Sequence, residues 1–120
     1  MTVKEFYERI GGGYDQAMSQ MRKEERVAKY LRMFLRDESF SMLKSAMESD
    51  DMQQAFAGAH TLKGVSANLA LSHLNSLVSA LTEDLRGGRD IPHAREAYPE
   101  VAACYDDVIK AITEFTEAQN

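Results

Sequence analysis

Three residues near the middle of the chain have the types and the spacing that phosphoryl chemistry needs. His60 is followed by Lys63 three residues later and by Gly64 four residues later, and side chains at these spacings lie on one side of a helix. Histidine can act as a nucleophile that forms a covalent intermediate, and a phosphoimidazole is energetic enough to pass its phosphoryl group on. Lys63 supplies positive charge for the phosphoryl oxygens, and Gly64 leaves space beside them. The pattern indicates transient storage of a phosphoryl group on His60.

A helical projection of residues 52–70 predicts that His60 faces solvent. At about 100° per residue, His60 lies opposite a cluster of small and apolar residues that would face the protein interior. The face around His60 is unusual for a solvated one, because it carries few of the charged side chains that normally cover such a face. We predict that a partner protein docks on this patch, which consists of Gln53, Phe56, Ala57 and Ala67.

Gly64 has an energetic cost that something must offset. A glycine inside a helix costs about 1 kcal/mol relative to alanine. Close packing of a neighbouring helix would explain it, and so would the close approach of a phosphoryl group or another molecule. Because Gly64 lies on the His60 side of the helix, away from the apolar stripe, the second explanation is favoured and the first stays open.

Length and composition predict one soluble domain that spans residues 1–120. The chain has 120 residues with 14 basic and 19 acidic side chains, and its net charge of −5 argues against nucleic acid as a partner. A single cysteine, Cys104, excludes an internal disulfide and favours a reducing compartment. Neither a signal peptide nor a membrane-spanning run is visible. We therefore expect a cytoplasmic protein that binds neither nucleic acid nor membrane.

Helical periodicity runs through almost every segment, and strand alternation is absent. Thr2, Asp50 and Ser72 are predicted N-caps, with Glu5 completing a capping box. Asp37 or Ser39 is the predicted N-cap of the helix that precedes the one capped by Asp50. The predicted helices are 3–10, 14–20, 23–36, one that follows its cap at Asp37 or Ser39 and ends near residue 49, 51–70, one that follows its cap at Ser72 and stops at the glycines 87–88, and 94–117. A loop is predicted at 89–93, and Pro99 is an alternative start for the last helix. The stripe of the third helix consists of Val27, Tyr30, Leu31, Phe34 and Leu35.

These elements predict an all-α fold, an antiparallel up-down four-helix bundle with additional short N-terminal helices. Its core would span about residues 37–118. The last helix repeats apolar residues from Tyr98 to Phe115 at alternating spacings of 3 and 4, a seam that a coiled-coil dimer could also bury. Because the other apolar stripes need a partner as well, we predict a monomer with an intramolecular bundle.

The sequence contains neither a P-loop, nor a kinase glycine-rich loop, nor a carboxylate cluster suited to Mg²⁺. We therefore predict that the chain is not an enzyme that phosphorylates itself from ATP and that it uses no cofactor. Another protein must deliver and accept the phosphoryl group. The histidines His60, His73 and His93 and the thiol of Cys104 lack metal-ligand spacing, so no metal site is expected.

Residues 59–69, Ala-His-Thr-Leu-Lys-Gly-Val-Ser-Ala-Asn-Leu, resemble the signature of the histidine-containing phosphotransfer (HPt) domain. That signature is Ala-His-x-Leu-Lys-Gly and, after four further residues, Leu-Gly. The resemblance continues through Leu74, Leu77 and Leu81, and the family's domain length matches the chain. It implies a four-helix bundle that shuttles phosphoryl groups between aspartates of receiver domains in multistep phosphorelays. By this resemblance His60 is phosphorylated, Lys63 supports the phosphoryl group and Gly64 keeps space beside it.

The chain departs from the family pattern at Ala70, which replaces the glycine of Leu-Gly. Because that glycine favours a helix end, we predict that its loss shifts the helix boundary toward Leu71. Two other functions compete with the phosphorelay reading. The bundle would be either an interaction module that binds a receiver or another signalling partner without taking phosphate, or a structural helical protein in which His60 has no role.

Overall fold

A computed structural model describes residues 1–118, which form seven α-helices and one 3₁₀ turn without any strand. The all-α class predicted from the sequence is confirmed, and residues 119–120 of the predicted domain lie outside the described range. No helix among residues 1–118 has the length and apolar character needed to span a membrane. The elements are α1 (Val3–Arg9), α2 (Tyr14–Met21), α3 (Glu24–Phe34), α4 (Ser39–Glu48), α5 (Met52–Asn68), α6 (Ser72–Leu85), the 3₁₀ turn (Arg86–Gly88) and α7 (Ile91–Ala118).

The helices α4 to α7 form the four-helix bundle. Each helix packs on the next one along the chain, as short connections require of antiparallel neighbours. Aromatic stacking joins the first helix of the bundle, α4, to the last, α7. The aromatic ring of Phe40 lies parallel to that of Tyr105, with centroids 4.0 Å apart. The bundle fold is confirmed. Its core is apolar and includes Leu43, Leu62, Leu74, Val78, Leu81, Val108 and Ile112.

The three N-terminal helices cover one end of the bundle, where α1 and α3 pack on α7. Phe6 of α1 contacts Phe115 of α7, with ring centroids 5.7 Å apart. The predicted capping box is present, because the Glu5 amide donates to the Thr2 hydroxyl at 3.0 Å and the Thr2 amide donates to the Glu5 carboxylate at 2.8 Å. These two hydrogen bonds define the residue at which α1 starts.

The predicted stripe of α3 is too wide. Val27, Leu31 and Phe34 are buried, but Tyr30 and Leu35 are exposed. A helix that packs along a narrow line buries only positions three and four apart, and the two exposed residues lie to either side of that line. These positions leave apolar surface on α3 facing solvent.

Three predicted N-caps are wrong by one residue. The cap residue of α4 is Glu38, and neither Asp37 nor Ser39 takes that position. Asp51, and not Asp50, caps α5 by accepting the Gln54 amide at 3.2 Å. Asp50 has a φ of +59°, a left-handed conformation that aspartate tolerates better than most residues, and its carboxylate pairs with Arg95 at 2.7 Å. At the start of α6 the cap residue is Leu71, and Ser72 is already helical, because the turn that ends α5 leads directly into α6.

The last helix starts earlier than predicted. Residues 91–93 were expected in a loop, but α7 begins at Ile91. Pro92 is compatible with the first turn, where a backbone donor is not needed, and the Asp90 carboxylate accepts the His93 amide at 3.1 Å. Pro99 lies inside the helix and not at its start.

The end of α5 is a Schellman turn. The Leu71 amide donates to the Ser66 carbonyl at 2.9 Å and the Ala70 amide donates to the Ala67 carbonyl at 3.1 Å. Ala70 has a φ of +54°, a conformation that costs a non-glycine residue about 1–2 kcal/mol. The predicted shift toward Leu71 is therefore wrong, because Ala70 adopts the conformation that the family's glycine would take and α5 ends at Asn68.

A tyrosine of α1, which lies outside the bundle, stabilises this turn by a hydrogen bond. The buried Tyr7 hydroxyl donates to the Leu69 carbonyl at 2.8 Å, and burial raises the pKa of Tyr7. The Gly13 amide donates to the Ala70 carbonyl at 3.0 Å. Carbonyls at a helix end have no partner in their own helix, so the N-terminal helices supply donors to the end of α5.

Replacing Tyr7→Phe keeps the ring but removes this donor. We expect the free energy of unfolding to fall by about 1–3 kcal/mol, because the Leu69 carbonyl stays buried without its partner. Urea denaturation followed by circular dichroism measures the change. The matched control is Tyr14→Phe, whose hydroxyl makes a long 3.4 Å contact with Glu24 and whose loss should change stability little. Equal effects of the two replacements would contradict the role of Tyr7.

Candidate functional site

The rotation of α5 about its axis is set by direct backbone packing on α4. Gly58 is buried, and a Cβ atom at this position would lie 2.8 Å from the Leu43 nitrogen and 3.1 Å from the Ser39 carbonyl oxygen. Only glycine allows two helix backbones to approach so closely. Ala55, Ala59 and Leu62 are buried beside it, so the opposite side of α5 faces outward.

His60 is exposed on that outward side, which confirms the orientation predicted from the helical projection. Its ring stacks on the ring of Phe56 one turn earlier, with centroids 5.7 Å apart and planes inclined by 20°. Phe56 is half-buried and packs against the core. The imidazole therefore has an aromatic support on one side while it stays accessible to another molecule.

Lys63 is half-buried one turn after His60. Its backbone carbonyl accepts a 2.9 Å hydrogen bond from the Asn75 side-chain amide, which also donates to the Ser66 hydroxyl at 3.2 Å. This bridge ties α6 to α5 beside the histidine. Hydrogen bonds from Arg86 lower the pKa of Glu83 on α6, and the positive charge of Lys63 adds to the effect.

Arg86 places a second cation beside this group of residues. Its guanidinium lies over the Phe56 ring at 5.1 Å from the centroid, within the range of a cation–π interaction, and it donates to the Glu83 carboxylate at 3.2 Å. This arginine was not predicted from the sequence. Its position depends on the 3₁₀ turn packing on α5, a tertiary contact that leaves no periodic signal in the sequence.

Gly64 is exposed, and a Cβ atom placed there would meet no atom within 4 Å. Packing of a neighbouring helix, the explanation that the sequence left open, therefore does not apply to Gly64. It applies to Gly58, whose role was not predicted from the sequence. The open space at Gly64 is consistent with close approach of another molecule on the His60 side of α5.

The residues of the predicted docking patch all reach the surface around His60. Gln53 and Ala67 are exposed, while Phe56 and Ala57 are half-buried. Their role in binding stays a prediction.

The other two histidines are also exposed but lie elsewhere. His73 is next to Gly11, and a hydrogen bond to Asp84 raises the pKa of His93 at the start of α7. Within residues 1–118, no three His, Cys, Asp or Glu side chains are grouped so that they could hold a metal ion.

The model of the Hpt domain family matches residues 29–111. The match covers more than half of the chain, so the chain belongs to the Hpt domain family and has the general role of that family in phosphorelay histidine phosphotransfer. Hpt domains are phosphocarriers that interact with receiver domains. Searches of curated proteins and of solved structures gave no match. Helices α1 and α2 and the first residues of α3 lie outside the matched range.

The two glycines of α5 provide a matched pair of substitutions. Gly58→Ala should lower the free energy of unfolding by about 1–3 kcal/mol, because the added methyl group forces α4 and α5 apart. Gly64→Ala should raise it by up to about 1 kcal/mol, since alanine is the better helix former and nothing obstructs it. Thermal and urea unfolding measure both. A neutral Gly58→Ala, or a destabilising Gly64→Ala, would contradict this assignment of the packing and the open glycine.

Proposed function

We propose that this chain is a phosphorelay intermediate in which His60 carries a phosphoryl group between the aspartates of two receiver domains. The observation that carries the proposal is the exposed, aromatic-supported imidazole of His60 with Lys63 and the unobstructed Gly64 on the same side of α5. Membership of the Hpt domain family supports it. Of the three exposed histidines, His60 is the one followed by a lysine at the spacing that brings the two side chains together.

The proposed transfer is a direct displacement at phosphorus. A ring nitrogen of His60 attacks the phosphorus of the aspartyl phosphate and forms an N–P bond as the P–O bond to the carboxylate breaks. The electron pair leaves with the aspartate carboxylate, and the imidazolium releases its proton to solvent. The same step runs in reverse toward the aspartate of the second receiver domain, with the ring taking up a proton again.

Each side chain has a separate task in this proposal. Phosphoryl transfer depends on positioning and on stabilising charge at the oxygens. Phe56 supports the ring of His60, and Lys63 supplies positive charge to the phosphoryl oxygens. Gly64 leaves room for the phosphoryl group and for the receiver backbone, and the patch of Gln53, Phe56, Ala57 and Ala67 contacts the receiver domain around it.

Further expectations complete the proposal. The receiver domains supply and accept the phosphoryl group, so the chain acts as a carrier without an ATP-dependent kinase activity, a cofactor or a metal. Residues 1–120 act as one monomeric unit in the cytoplasm, without nucleic acid or membrane as a partner. The bundle buries its own seam, which removes the main reason for a coiled-coil dimer.

Incubation with a purified phosphorylated receiver domain tests the proposal. The chain should gain an acid-labile, base-stable phosphoryl group, and His60→Gln should abolish the gain. Lys63→Ala should slow transfer about tenfold or more because it removes charge stabilisation. Gly64→Gln should slow it by a similar factor through obstruction, without unfolding the chain. The matched control is His73→Gln, an equally conservative change at another exposed histidine, which should transfer at the parent rate.

Two results would contradict the proposal. If His60→Gln is phosphorylated as fast as the parent chain, the acceptor is another residue. If the parent chain binds the receiver domain but never becomes labelled, it is an interaction module without phosphotransfer.

A further inference from the structure

Two residues weaken the last turn of α5, which follows directly after the candidate site. Gly64 precedes this turn, which consists of residues 65–68, and glycine is a poor helix former that leaves the backbone open to water. Ala70 follows the turn with a φ of +54°, a conformation that is unfavourable for a residue with a side chain. A helix end with these two features needs support from outside the helix to stay ordered.

The last turn is coupled to the candidate site through the backbone hydrogen bonds of α5. In an α-helix the amide of each residue donates to the carbonyl four residues earlier. The amides of residues 65–68 therefore hold the carbonyls of residues 61–64, which include those of Lys63 and Gly64. If the last turn loosens, the backbone that positions the Lys63 side chain relative to His60 loosens with it.

The N-terminal part of the chain supplies the donors that support this turn. The Tyr7 hydroxyl donates to the Leu69 carbonyl at 2.8 Å, and the Gly13 amide donates to the Ala70 carbonyl at 3.0 Å. Leu69 and Ala70 are both buried, so a carbonyl that lost its donor here would not regain one easily from water. The two segments are in close contact, because a Cβ atom at Gly12 would lie 2.9 Å from the Ala70 carbonyl oxygen.

The Tyr7 side chain is held in place by residues outside α5. It is fully buried, and its ring packs edge-on against the ring of Phe6 with centroids 5.1 Å apart. Phe6 packs in turn on Phe115 of α7. The position of the Tyr7 hydroxyl is therefore set by α1 and α7, and it provides a fixed donor for the end of α5.

A separate set of hydrogen bonds holds the other end of the turn. The Asn75 side-chain amide of α6 donates to the Lys63 carbonyl and to the Ser66 hydroxyl, and that hydroxyl donates to the Lys63 carbonyl at 3.0 Å. These residues lie inside the range 29–111 that the family model matches, whereas Tyr7 and Gly13 lie outside it. Support for the far end of the turn thus comes from a part of the chain that the matched domain does not include.

We infer that Tyr7 is a positioning residue for phosphoryl transfer at His60, and that residues 1–21 belong to the functional unit although the family model does not match them. The inference rests on the proposed function. Tyr7 is fully buried and acts through the Leu69 carbonyl and the last turn of α5, without contact to the phosphoryl donor. Ala70 makes this support necessary, because only glycine adopts the conformation of that position freely.

A set of variants separates a positioning role from a loss of stability. Tyr7→Phe removes the donor, and Tyr7→Phe/Ala70→Gly removes it while relieving the backbone strain. Ile112→Val takes a buried methyl group from α7, which lowers stability away from the turn, and Tyr14→Phe is the chemically matched control. Each variant is phosphorylated by a receiver domain and by phosphoramidate, which phosphorylates histidine without a protein partner. Both reactions are run where circular dichroism shows every variant folded, and amide hydrogen exchange reports on the turn.

Tyr7→Phe should change the turn and the transfer step together. Exchange of the amides of residues 66–71 should become about tenfold faster or more, because a buried hydrogen bond is lost. The kcat for transfer from the receiver should fall at least about threefold through misplacement of the reacting groups, with KM within about twofold of the parent value. Phosphoramidate labelling of His60 should slow by a similar factor. Ala70→Gly should restore most of the lost rate, whereas Ile112→Val and Tyr14→Phe should react at the parent rate.

Other outcomes would overturn the inference, and each has a distinct meaning. If Tyr7→Phe loosens the turn but reacts at the parent rate, the turn does not position the site. If Ile112→Val slows transfer as much as Tyr7→Phe, general stability is responsible. If only KM rises and phosphoramidate labelling is unchanged, Tyr7 affects receiver docking and not His60. If the parent chain takes no phosphoryl group from a receiver, the proposed function fails, while phosphoramidate labelling still decides whether Tyr7 positions the site.

Discussion

The close contact between α4 and α5 at Gly58 is the constraint on which the candidate site depends. The Gly58 backbone lies against the Leu43 backbone with no room for a Cβ atom. This contact lets small residues of α5 pack into the bundle and turns the other side of the same helix to solvent. A different rotation of α5 would move His60 toward the interior and bury the charge of Lys63. The exposure of the histidine is therefore a consequence of helix packing and not of a flexible loop.

The ends and flanks of α5 are held as firmly as its centre. Tyr7 hydrogen-bonds the Schellman turn at one end, and Asp51 caps the other. Asn75 bridges from α6 to the Lys63 carbonyl, and Arg86 lies over the ring that supports His60. Transfer of a phosphoryl group requires positioned groups more than covalent help from the protein. A histidine on a braced helix meets that requirement.

Periodicity in the sequence was enough to predict the all-α bundle and the outward direction of His60, because both follow from apolar residues spaced three and four apart. It was not enough for features created by contacts between distant segments. The helical projection placed Gly64 on the His60 side, but only the position of α4 shows that Gly58 is required by packing. Arg86 was missed because a 3₁₀ turn brings it over α5. Asp50 and Ser72 were misassigned as caps because tight turns displace the helix starts by one residue.

We propose that His60 accepts the phosphoryl group because of its neighbours and not because of its exposure. The chain provides its own comparison, since His60, His73 and His93 are all exposed. Mapping the phosphoryl group by peptide mass spectrometry at neutral pH, after brief incubation with a phosphorylated receiver domain, tests this claim most directly. We expect one phosphoryl group on the peptide that contains His60 and none on the peptides of the other two histidines. Phosphorylation of His73 or His93 at a comparable level would contradict it.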